Sequence, residues 1–87
     1  MQTETTKLAT RPINQIAAEI YHAWRKPYFG AVPYLQAMQT LDSINDMYLM
    51  DTASSIVLYF LANAATWRGE TAKRVKAELK ALLKSAR

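Results

Sequence analysis

The sequence predicts an all-α fold, a compact bundle of about four helices with the third central and buried, and three observations carry that prediction. Apolar residues make up 51% of the 87-residue chain and recur at helical spacing. Two glycines and three prolines are too few for the repeated tight turns of a small β sandwich or barrel. The breaks between periodic segments fall at prolines, at Gly30 and Gly69, and at the stretch Asp42-Ser43-Ile44-Asn45-Asp46.

Residues 1–9 are polar and Thr-rich without periodicity, and read as a disordered lead-in to a single helical domain over 10–87. Thr10 suits an N-cap and Pro12 a first turn. Ile13, Ile16, Ala17, Ile20 and Trp24 then form one apolar arc of a helix ending near Lys26, with Gln15, Glu19, His22 and Lys26 turned away from it. Pro27, Gly30 and Pro33 break that helix in an aromatic turn, with Gly30 free to take a positive φ. Pro33 opens a second helix through Tyr34, Ala37, Met38 and Leu41. The Asp/Ser/Asn-rich stretch breaks or re-caps it before a short helical turn through Tyr48, leaving open whether 33–50 is one helix or two.

Asp51 is the expected N-cap of a third helix running to Trp67. Ala53, Ile56, Val57, Phe60, Leu61, Ala64 and Trp67 give it a broad apolar face, which Leu58, Ala62 and Ala65 widen. Gly69 then supplies a break. Glu70 starts a fourth helix whose inner face is Ala72, Val75, Leu79, Leu82, Leu83 and Ala86.

The composition excludes whole classes of function. Without cysteine and with one histidine there is no basis for disulfides, thiolate metal sites or His-cluster sites, and no cofactor is expected. His22 faces solvent, which leaves no group poised for general acid–base work, so the chain reads as a non-enzyme. Asp42 and Asp46 are paired carboxylates without a third ligand, and capping explains them. The most apolar stretch, 56–65, is shorter than the roughly 20 residues of a membrane span, and no secretory signal opens the chain. A cytoplasmic setting without membrane contact is expected.

Charge is strongly segregated. Residues 27–67 contain no Lys or Arg but carry Asp42, Asp46 and Asp51, whereas 68–87 hold seven cations against two anions, a balance of +5. Lys73, Lys76, Lys80, Lys84 and Arg87 line one flank of the last helix in a stripe roughly 80° wide. Arg74 lies apart, at i, i+4 spacing from Glu70 and Glu78, and is expected to pair with them. A solvated face explains the stripe most simply; its functional reading is contact with an acidic protein, or less specifically with nucleic acid. Among aromatics, Trp24, Trp67 and Phe29 are expected in the core. Tyr21, Tyr28, Tyr48 and Tyr59 flank their apolar faces, and Tyr28 with neighbouring Tyr48 is the candidate contact at the aromatic turn.

Five segments carry a likeness: Tyr28-Phe29-Gly30-Ala31-Val32-Pro33-Tyr34-Leu35, Ser43-Ile44-Asn45-Asp46, Val57-Leu58-Tyr59-Phe60-Leu61, Thr66-Trp67-Arg68-Gly69-Glu70-Thr71-Ala72 and Lys76-Ala77-Glu78-Leu79-Lys80. Over about residues 13–83 the chain resembles a family of small helical proteins encoded in bacteriophages and in conjugative or integrated mobile elements. The resemblance implies a bacterial or phage cytoplasmic context, no assigned catalytic activity and no functional residue to carry over. It also implies a kind of work: accessory proteins of mobile elements often bind a host or element protein, sometimes to inhibit a defence system. The expected function is therefore a protein-interaction module, an inhibitor or adaptor, as a monomer or small homo-oligomer. The alternative is a non-specific nucleic-acid-binding module using the basic last helix.

Overall fold

The first helix, α1 (Ile13–Ala23), buries Ile13, Ile16, Ala17 and Ile20 on one side. The computed structural model describes residues 11–86, so the proposed lead-in, the Thr10 cap and Arg87 lie outside the described residues. The first amides of α1 are satisfied from across the fold: Ile13 N donates to Asp42 O at 2.8 Å and Asn14 N to Leu41 O at 2.9 Å. The helix stops three residues before Lys26, because Trp24 swings to φ −102°, ψ 87° and turns its indole inward. Glu19 does not face solvent as expected; it sits at the flank toward the last helix, half-buried in ion pairs.

A single 3-10 turn (Phe29–Ala31) leads into α2 (Val32–Met38), with Pro33 in its first turn. Leu35, Ala37 and Met38 are buried, and Leu41 and Ile44 continue the core beyond the helix end. The expected helical turn through Tyr48 is instead an antiparallel hairpin, β1 (Met47–Tyr48) with β2 (Asp51–Thr52), pairing Met47 with Thr52 and Tyr48 with Asp51. The fold is therefore largely, but not purely, α-helical. Asp46 sets up the hairpin: its Oδ2 accepts from the amides of Asp42 and Ser43 at 3.0 Å each, and its carbonyl accepts from Ala53 N at 2.9 Å.

Helix α3 (Ala53–Ala62) follows directly. Its cap is Thr52 rather than Asp51, since Thr52 Oγ1 accepts from Ser55 N at 3.1 Å. It also ends at Ala62 instead of Trp67. Asn63 leaves helical geometry at φ −104°, ψ 9°, and its Nδ2 donates to Tyr59 O at 2.9 Å. Helix α3 touches α2, β2 and the last helix, α4 (Glu70–Ser85). It is buried on one side only: Ala53, Ile56, Val57 and Phe60 face the core, while Leu58, Tyr59 and Ala62 face outward. Gly69 at φ 109° makes the turn into α4, which buries Ala72, Val75, Leu79 and Leu82.

Trp24 and Trp67 close the core by stacking, with ring centroids 5.6 Å apart and planes 12° from parallel, and Phe60 meets Trp24 in a T-shaped contact with centroids 6.3 Å apart. Among the described residues no helix is long and apolar enough to cross a membrane.

Candidate interaction surface

The Trp24–Trp67 stack joins two segments that carry exposed cations. Arg25 and Lys26 follow Trp24 and are exposed; Arg68 follows Trp67 and is exposed. The stack thus sets side by side the two chain segments that flank the cation-free stretch, a convergence that sequence spacing does not reveal. Lys76 reaches the same place, its Nζ donating to Trp67 O at 2.6 Å. Burial, then the like charges of Lys80 and Arg68, hold the Lys76 ammonium below the usual lysine range.

Beside this cluster lies the aromatic turn. The Tyr28 and Phe29 rings meet at 4.8 Å with their planes tilted by 53°, and Phe29, expected in the core, is 79% exposed. The 3-10 turn is the reason, since Ala31 takes the inward position. Gly30 does not use a positive φ. Its value is space, because a Cβ there would meet Tyr28 Cε2 at 2.7 Å and Asn63 Oδ1 at 2.8 Å. The close approach leaves a shallow recess lined by Tyr28, Ala62, Asn63, Ala65 and Thr66. Its volume, about 90 Å³, holds one side chain rather than a metabolite, whose sites run to several hundred Å³. Tyr48 is not part of this group. It is half-buried against the core in the hairpin, at the opposite end of α3.

Helix α4 is sorted by charge around its axis. Arg74 pairs with Glu19 on α1 rather than with Glu70 or Glu78, and Glu78 is held by Arg11. On the other flank Lys73, Lys80 and Lys84 are exposed, and no described carboxylate lies within ion-pair distance of them. Of the expected stripe, Lys73, Lys80 and Lys84 stand free, Lys76 is folded back onto the chain, and Arg87 lies outside the described residues.

Sequence reasoning missed a second group, Met47, Leu49, Met50 and Leu58, all exposed beside Tyr59, which the sequence does single out as flanking its apolar face. Adjacent apolar residues at 49 and 50 without helical or strand periodicity were the available signal. Among the described residues no group of three or more His, Cys, Asp or Glu side chains is placed to hold a metal ion.

No protein-family model, no curated protein and no solved structure matches this chain. The likeness to small proteins of phages and mobile elements rests on the five segments alone.

Proposed function

We propose that this chain is a non-enzymatic protein-interaction module whose cationic side, Lys73, Lys80 and Lys84 with the Arg25, Lys26 and Arg68 cluster, engages an acidic surface on a partner protein. In the setting implied by the resemblance, it is a cytoplasmic inhibitor or adaptor encoded by a phage or mobile element and directed at a host protein. The observation that supports this reading is the sorting of α4: Glu78 is held by Arg11 on the α1 side, while Lys73, Lys80 and Lys84 are exposed on the other flank with no described carboxylate within ion-pair distance. Like charges held together weaken the free protein slightly, and an acidic partner relieves that repulsion.

The second reading, non-specific nucleic-acid binding, is favoured by one feature, the exposed Tyr28 and Phe29 rings next to Arg25 and Lys26, which resemble a stacking platform beside a basic track. Capture from nuclease-treated bacterial lysate separates the two. A protein partner survives nuclease and is lost when Lys73, Lys80 and Lys84 are changed to Glu. Retention by that variant counts against the lysine side; loss on nuclease treatment favours nucleic acid.

A further inference from the structure

The outward side of α3 is an uncharged apolar strip that continues into the hairpin at one end and into the aromatic turn at the other. Ser55, Leu58, Tyr59 and Ala62 recur at i, i+3, i+4 and i+7, opposite the buried Ile56, Val57 and Phe60. At the N-terminal end Thr52 bonds Ser55, and Met47, the cross-strand partner of Thr52, shares its side of the hairpin. Beyond it the tip exposes Leu49 at 81% and Met50 at 91%. At the C-terminal end Ala62 lines the recess with Tyr28, whose ring carries Phe29.

We propose that this strip is a self-association surface, on which a second copy of the chain packs with its α3 antiparallel. Three features select that occupant. First, the exposed large apolar side chains from 28 to 59 present on the order of 1,000 Å² per chain, against about 800 Å² per partner in an interface of standard size. Second, no charge interrupts the strip, so two copies face each other across Leu58 and Tyr59 without desolvating an ion. Third, the two ends differ and match: the N-terminal end carries the exposed tip residues Leu49 and Met50, the C-terminal end the recess lined by Tyr28 and Ala62, and an antiparallel pair sets tip against recess. Ten residues of helix span about 15 Å, so the tip of one copy falls at the recess of the other, which has room for one apolar side chain. The arrangement is two-fold and closed, and it leaves the lysine side of α4 free.

Sedimentation equilibrium of the full chain tests this, with Leu58→Glu as the disrupting variant and Lys80→Glu as the control. A dimer forms at micromolar concentration, Leu58→Glu weakens it at least about tenfold, and Lys80→Glu leaves it unchanged. Circular dichroism confirms that Leu58→Glu, at an exposed position, keeps the helical fold. Direction is read by mixing Ser55→Cys chains with Ala62→Cys chains under mild oxidation: antiparallel packing cross-links 55 to 62 across the pair and not 55 to 55. A monomer at all concentrations, an unaffected Leu58→Glu dimer, or dominant 55-to-55 cross-links would overturn the proposal. A strip that stays monomeric but binds an unrelated protein would overturn it equally.

Discussion

Arg11 holds Glu78, 67 positions further along the chain, with two nitrogens: Nε donates to Oε2 at 2.9 Å and Nη2 to Oε1 at 2.7 Å. Nη2 also donates to Glu19 Oε1 at 2.8 Å, and Arg74 donates to the other oxygen of Glu19. The result is an alternating chain, Arg74–Glu19–Arg11–Glu78, that ties α1 to α4. It also explains why the opposite flank of α4 is left with unpaired lysines.

This network is partly solvent-exposed, so its worth is modest. Arg11→Ala is expected to cost about 1 kcal/mol, lowering the melting temperature by about 4–8 °C in a domain of this size. A double-mutant cycle with Glu78→Ala reads the coupling, and additive single losses would show that the bidentate pair contributes nothing of its own.

Acid unfolding follows from the same carboxylate. The hydrogen bond from Arg74, ahead of that from Arg11, holds Glu19 below the usual carboxyl range. A folded pKa below the unfolded one gives stability that is fully present above the unfolded pKa and is lost as pH falls through the folded one. The stability gap between the natural chain and Glu19→Gln should therefore be constant from neutrality down to about pH 5 and close below about pH 4. Urea titrations across that range check it, and a gap that persists at the acid end would remove Glu19 from the account.

The stacked indoles carry more. Trp24→Ala removes a ring that touches both Trp67 and Phe60, and should cost about 3–5 kcal/mol. Much of a small domain's stability lies within that amount, so the far-UV signal of this variant should melt near or below room temperature. A fully folded Trp24→Ala chain would mean that the two loops are held together by something other than the stack.

Helix positions and the inner residues of α1 and α4 were legible in the sequence because periodicity reports burial directly. The same logic misled at the end of α3. Phe60, Ala64 and Trp67 keep helical spacing and are all buried, yet the backbone between them turns at Asn63. The hairpin was invisible for the opposite reason: Leu49 and Met50 occupy its tip, where Gly, Asn or Asp would have signalled a turn. Arg74 pairs with Glu19 on α1 and not with its helical neighbours Glu70 and Glu78, a long-range contact that local spacing does not contain. Of the candidate site, the lysines were read from spacing, whereas the approach of the segments after Trp24 and Trp67 needed the indole stack.

Leu49 offers a separate test. It sits at φ 56°, a left-handed conformation that a bulky side chain adopts at a cost of about 1 kcal/mol or more. Leu49→Gly should raise the stability of the dilute chain by about 1 kcal/mol, measured by urea unfolding, while removing an exposed apolar side chain from the tip. Lower stability in the variant would show that Leu49 already packs within a single chain.

The lysine side of α4 is the central claim, and its chemical reactivity tests it most directly. Acylation rates of Lys73, Lys80 and Lys84, read by mass spectrometry, should fall several-fold when the chain is placed in nuclease-treated bacterial lysate, relative to the purified protein. Lys76, already folded onto Trp67, should change little. Equal rates in both settings at all three positions would mean that these ammonium groups face only water, and the interaction reading would fail.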